Sequence, residues 1–141
     1  MATFDPKKYS FSFGGIPVNG YADGTGIEFV RNEDMWALVV GMDDFSTFVK
    51  KNNTSGLFTI TLQQSSPVNN QFSSLAALDE TGNLGLQSAL LKDNNVGGTT
   101  LVSSATGRFV KFPDITISSD LSNTVWTILC TNTKVAIGGN I

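Results

Sequence analysis

Tyr9, Phe11 and Phe13 alternate with Ser10 and Ser12, the period of two that marks a strand with one buried and one wet face. Gly14 and Gly15 break it. Residues 16–18 carry Pro17, which has no N–H to give to a ladder and therefore belongs at a sheet edge or strand end. Asp23-Gly24 within residues 22–26 is a turn signal, and apolar runs over 27–31 and 35–40 end at Asn32-Glu33-Asp34 and at Gly41. Residues 9–42 thus read as a β-meander around which the rest of the chain is organised. Trp36 and Trp126 both fall in apolar runs and read as core.

Downstream, residues 42–45 read as a turn and 46–51 as a strand. Residues 57–64, LFTITLQQ, place Phe58, Ile60 and Leu62 on one face and Thr59 and Thr61 on the other, the cleanest half-buried strand in the chain. The period changes at Ser66. With Pro67 at the first helical position and Ser66 able to cap it, Val68, Phe72, Leu75, Ala76 and Asp79 recur at helical spacing, predicting a helix over about 67–79, stopped near Thr81-Gly82, that plugs one end of a sheet core. Strands are predicted again at 84–92, 99–105, 108–112, 115–117, 124–131 and 135–137, with turns at 93–98, at Thr106-Gly107 and at Pro113-Asp114, and residues 138–140 as a frayed tail. Residues 1–8 are polar, carry Pro6 and read as an extended arm before a single domain over 9–141.

The 141 residues suffice for one core, and 14 glycines with only 15% charged residues suit many short strands, so the class is all-β with one flanking helix, an antiparallel sandwich or small barrel. The net charge of −3 argues against gripping a nucleic-acid backbone, which takes clustered Lys and Arg. No run approaches the about 20 apolar residues of a membrane span, and the amino terminus has no apolar signal core, so the reading is a soluble chain made in a reducing cytoplasm, without membrane insertion.

Candidate chemistry is sparse. The chain has no histidine, hence no general base or metal ligand of the commonest kind. Cys130 is alone in an apolar run and reads as a small buried hydrophobe. Gly20, Gly24 and Gly26 lack the spacing of a dinucleotide fingerprint and no Gly-Lys-Ser/Thr follows them. Asp23, Glu28, Glu33, Asp34, Asp43 and Asp44 lack the spacing of a calcium loop and read as a solvated acidic face. No enzyme activity, cofactor or metal is expected. What does call for explanation is the edges: LFTITLQQ, TTLVSSA and TVWTILC have few charges or prolines to protect them, which predicts closure by neighbouring subunits, with self-closure as a barrel the alternative.

The string IPVNGYADGTGIEFVRNEDMWALVVGMDD, followed by TSGLFTITLQQSSPVNNQFSSLAALDETG, LLKDNN, GTTLVSSATGRFVKFPDI and TVWTILCTNTKVAIGGN, resembles the tail tube proteins of contractile-tailed bacteriophages over residues 9–140. The resemblance implies an architecture related to the Hcp tubes of type VI secretion, hexameric rings stacked into a hollow tube, and DNA passing through an acidic, polar lumen without specific binding. It also implies sheath, baseplate and tail terminator partners, assembly in the host cytoplasm and a place in the virion tail. On that basis Ser10, Ser12, Glu28, Thr59 and Thr61 are candidates for the lumen. Residues 41–47 and the arm 1–8, with Lys7, Lys8, Asp43, Asp44 and Phe45, are candidates for ring stacking. Rival readings are a contractile injection or type VI-like tube carrying protein cargo, and a small carbohydrate-binding module using Trp36, Trp126, Tyr9 and Tyr21 as stacking platforms.

Overall fold

The computed structural model describes residues 5–94 and 99–137; residues 95–98 of the turn expected at 93–98, the start of the arm and the tail at 138–140 lie outside the described residues. Among the described residues ten strands and one α-helix follow in chain order: β1 (Tyr9–Phe13), β2 (Ile16–Pro17), β3 (Ile27–Arg31), β4 (Trp36–Val40), β5 (Ser46–Lys50), β6 (Gly56–Gln63), α1 (Val68–Gly82), β7 (Gln87–Asp93), β8 (Thr99–Phe109), β9 (Asn123–Thr131) and β10 (Lys134–Val135). All the ladders are antiparallel, in the order β2-β1-β7-β8-β9-β6-β3, with β10 added to β8. The expected class, all-β with one helix, is what the chain adopts.

Strand β6 shows why. Phe58, Ile60 and Leu62 are fully buried, and Ile60 lies opposite Ile27 on β3 and Trp126 on β9. The sheet curls until its far side meets this row: Phe11 on β1 stacks at 4.9 Å from Phe58, although three strands separate them in the ladder. Residues 18–26 bridge the gap. Val18 N–H donates to Phe11 C=O at 3.0 Å, Gln63 N–H to Gly20 C=O at 2.8 Å, Ala22 N–H to Thr61 C=O at 3.1 Å, and Thr61 N–H to Gly26 C=O at 2.8 Å. Main-chain groups of Phe11, Thr61 and Gln63 find partners in this way, as buried backbone requires.

Helix α1 closes one end. Val68, Phe72 and Ala76 face inward, and the Phe72 ring meets Phe109 at 5.1 Å, Trp126 at 5.6 Å and Phe13 at 6.3 Å. The Ser66 hydroxyl accepts from Val68 N–H at 3.4 Å while donating to Asn19 C=O at 2.9 Å, tying the helix start to the bridging segment. Gly20 makes that approach possible: its φ is +75°, and a Cβ there would stand 2.5 Å from the Ser66 oxygen. At the other end the helix stops at Gly82, where the Thr81-Gly82 pair led one to expect it, because Asn83 adopts a left-handed φ of 58° and its N–H returns to Asp79 C=O. Asp79 tolerates its inward position by accepting from Gly85 N–H at 3.3 Å and pairing with Arg108 at 3.6 Å.

Five expectations need correction. Residues 9–42 are not a meander: β3 pairs with β6, and β4 pairs only with β5, apart from the main sheet. Trp36 is not core but 51% exposed, whereas Trp126 is buried. The strands expected at 99–105 and 108–112 are one, β8, because Thr106-Gly107 does not turn; Gly107 instead lets Cys130 Sγ approach to 2.9 Å of where a Cβ would stand. Residues 115–117 join no ladder, and Ile115 and Ile117 are each 86% exposed. Pro6–Lys8 form a single 3-10 turn, not extended chain, because the Asp5 carboxylate accepts from Lys7 N–H at 3.0 Å.

Candidate functional site, an assembly surface

Among the described residues no group of His, Cys, Asp and Glu is placed to hold a metal ion. Cys130 is buried against Gly107 and Ser104, and burial pushes its thiol up to about 11. Tyr21 lines a cleft of about 490 Å³ with Tyr9, Ile27, Leu91 and Leu101, and burial pushes its hydroxyl up to about 12. Both folded values exceed the ordinary 9.0 and 10.0, so the unfolded chain ionises first. Their stabilising contribution is complete below pH 9.0 and is lost as pH rises towards 11 and then 12. The expected result is a denaturation midpoint that falls steadily as pH rises from 9.0 towards 12, with a Cys130→Ala variant showing a shallower fall.

The surface is where this molecule is unusual. Strands β4 and β5 form a hairpin of five rungs, from Trp36 opposite Lys50 to Val40 opposite Ser46, that belongs to no larger sheet. Trp36, Leu38, Val40 and Phe48 lie on one face; Ala37, Val39 and Val49 lie on the other. Leu38 is 56% and Phe48 72% exposed, and Val39, Val40 and Phe45 are exposed with them. A two-stranded ribbon is marginal by itself in water. An apolar ribbon with neither face covered is a surface awaiting a partner.

The hairpin is well anchored at its base and well formed at its tip. Lys51 N–H donates to Met35 C=O at 2.9 Å, Asn32 N–H to Ser55 C=O at 3.1 Å, and Arg31 reaches Thr133 with two bonds of 3.1 and 2.9 Å. At the tip, Gly41 N–H donates to Phe45 C=O at 2.8 Å, Asp44 adopts a φ of 62°, and the Asp43 carboxylate accepts from Phe45 N–H. Position and shape are thus determined by hydrogen bonds, while the apolar side chains are left to something else.

A family model for the bacteriophage PhiTE tail tube protein matches residues 2–138. The chain belongs to this tail tube family. The tail tube chain is 28% identical over 125 residues to Structural protein ORF10 of Pseudomonas phage KPP10, spanning 87% of this chain and 71% of that protein. Its fold is similar to a chain of the PVC sheath/tube terminator, from an extracellular contractile injection system in the extended state, with a TM-score of 0.63 at 9% identity over 96% of this chain and 99% of that one. It is equally similar to the tube terminating cap of the anti-feeding prophage, with a TM-score of 0.63 at 11% identity over 96% and 93% of the two chains. The tail tube chain is therefore a structural component of a phage tail and not an enzyme.

Of the expected ring-stacking residues, Asp43, Asp44 and Phe45 form the hairpin tip, while Lys7 and Lys8 stand on the 3-10 turn at the foot of β1, where Lys8 C=O accepts from Asn94 N–H at 2.9 Å. The lumen candidates divide between two flanks. Glu28 lies directly opposite Thr59 on the outer side of β3 and β6, with Thr61 next along, and Thr127 of β9 extends the row beyond Thr59. Ser10 and Ser12 sit on the outer side of β1, opposite Lys92 and Leu90 of β7. Because Phe11 and Phe58 meet across the core, the outer sides of β1 and β6 face away from each other. The sugar-stacking candidates also separate, with Trp36 on the hairpin, Trp126 inside, and Tyr9 and Tyr21 at the cleft.

Proposed function

We propose that the tail tube chain builds the inner conduit of a contractile tail as stacked hexameric rings, through which DNA is ejected into the host. The observation that carries this reading is the detached hairpin, whose two exposed apolar faces a neighbouring copy would cover at every subunit of a repeating structure. Stacking of identical rings is a heterologous contact and continues without limit, as a tube requires. Membership of the tail tube family supports the conduit, and likeness to terminators of contractile injection systems supports the contractile setting.

In this reading the row Glu28, Thr59, Thr61 and Thr127 lines the lumen, where an acidic, uncharged-polar wall keeps a phosphate backbone moving. Ser10 and Ser12, on the far flank, then belong to the outside. Asp43, Asp44, Phe45, Lys7 and Lys8 meet the adjacent ring. Sheath, baseplate and terminator proteins are the partners, with assembly in the host cytoplasm before incorporation in the virion tail.

Both structural neighbours end a tube and do not extend one, which favours a second reading as a terminating ring. Electron microscopy of purified, concentrated protein separates the two. Long hollow tubes with sixfold end views support the conduit, single closed rings support the terminator, and a persistent monomer overturns both.

A further inference from the structure

Residues 110–122 connect β8 to β9 over a stretch with no ladder of its own, yet residues 115–117, Ile-Thr-Ile, have the composition of a strand. Ile115 and Ile117 point away from the body, each 86% exposed. Among the described residues, no main-chain N–H of residues 114–118 donates to any group of the chain. One group is engaged: Thr116 C=O accepts from Gln64 Nε2 at 3.2 Å. In extended backbone the N–H and C=O of one residue share an edge, and successive residues alternate between edges. With Thr116 C=O directed at its own subunit, an extended segment would present the main-chain groups of Ile115 and Ile117 outward.

The hairpin offers the complementary edge. The bonds Gly41 N–H to Phe45 C=O and Lys51 N–H to Met35 C=O identify the hydrogen-bonded rungs. By alternation, Trp36 opposite Lys50, Leu38 opposite Phe48 and Val40 opposite Ser46 are the rungs whose main-chain groups turn outward. The free margin of β5 therefore presents Ser46, Phe48 and Lys50.

We propose that residues 114–118 of one copy add as an antiparallel strand to the free margin of β5 in a second copy, with Ile117 opposite Phe48. This rests on the reading of the chain as a self-assembling tube component and names the segment that covers the hairpin. The register follows from the chemistry. Ile117 opposite Phe48 extends the apolar row Phe48-Leu38, places Thr116 beside Val49, and sets Asp114 against Lys51. Among the described residues neither Asp114 nor Lys51 has an ion-pair partner. Sliding the segment by two residues puts Pro113 opposite Lys50, where the ladder needs an N–H that proline lacks. Adding it to β4 instead brings Asp114 opposite Gly41 and leaves its charge without a partner.

The test uses the full chain. Thr116→Cys and Val49→Cys in one molecule form a pair across a non-hydrogen-bonded rung, close enough for a disulfide. Mild oxidation of assembled protein is expected to yield a ladder of linked chains, and Thr116→Cys with Thr47→Cys, two residues out of register, is expected to yield none. Asp114→Lys is expected to weaken association by about two- to fivefold per contact, with Lys51→Asp added to it restoring the loss. Hydrogen exchange at residues 114–118 is expected to slow on assembly. Assembly without linkage, with those amides still exchanging as in the free chain, overturns the pairing and leaves the tube standing. Protein that never assembles overturns the tube and the pairing together.

Discussion

Serine at both Leu38 and Phe48 is expected to abolish assembly while leaving the subunit folded. The two side chains face each other across the hairpin, one 56% and the other 72% exposed, and neither belongs to the buried cluster around Phe58 and Trp126. Removing them therefore takes nothing from the core, and a surface change of this kind moves folding stability by no more than about 0.5 kcal/mol. Association is a different matter. Each such side chain contributes about 1.5–3 kcal/mol when an interface removes it from water. Losing both costs about 3–6 kcal/mol per contact, roughly a hundredfold to ten-thousandfold in affinity, and a ring repeats that loss at every subunit. Sedimentation velocity and electron microscopy read the assembly; chemical denaturation reads the fold. Tubes forming at the concentration the unaltered chain needs would remove the hairpin from the interface.

The same hairpin marks where the sequence is legible and where it is not. Strands β3, β6 and β9 and the start of α1 can be read from periodicity, because each meets water on one side and the core on the other. The pattern then directly records the environment, as with Phe58, Ile60 and Leu62 against Thr59 and Thr61. In β4 the run Trp36-Ala37-Leu38-Val39-Val40 is apolar on both sides, which reads as complete burial. That burial is absent in the single chain, so Trp36 is taken for core when it stands in the open. Ile115 and Ile117 mislead in the same way: the strand pattern is present and the partner strand is not.

Local signals also leave pairing undetermined. Alternation says that Glu28, Thr59, Thr61, Ser10 and Ser12 all face outward from their strands, but not which strands are neighbours. Only the ladder order brings Glu28 beside Thr59 and carries Ser10 and Ser12 to the opposite flank. Gly107 shows a further limit, since a glycine required for close packing against Cys130 has the same letter as one required for a turn. The tip residues Asp43, Asp44 and Phe45 were legible because turn chemistry is local: the positive φ of Asp44 and the carboxylate bond of Asp43 need nothing from elsewhere in the chain.

Phe72→Ala is expected to have the opposite profile to the hairpin variant, with a large loss of folding stability and no direct effect on any contact between copies. Phe72 is fully buried where α1 meets the sheet, and its ring touches those of Phe13, Phe109 and Trp126, themselves held by β1, β8 and β9. Truncation removes the ring that packs the helix against all three strands and leaves a cavity that the surrounding tilted and edge-on rings, braced by the Trp126 Nε1–H bond to Asn69 Oδ1 at 3.0 Å, cannot collapse to fill. The cost is about 3–5 kcal/mol, a large share of the roughly 5–15 kcal/mol that a domain possesses. Calorimetry is expected to show a midpoint lowered by roughly 10–20 °C. Leu78→Ala, on the exposed side of the same helix, is the control and is expected to change little. Below its lowered midpoint the Phe72→Ala subunit keeps an intact hairpin and is expected to assemble as the unaltered chain does, whereas the Leu38 and Phe48 double variant fails at every temperature. A Phe72→Ala loss below about 1 kcal/mol would mean that α1 does not seal the core, and the separation of fold from assembly surface would go with it.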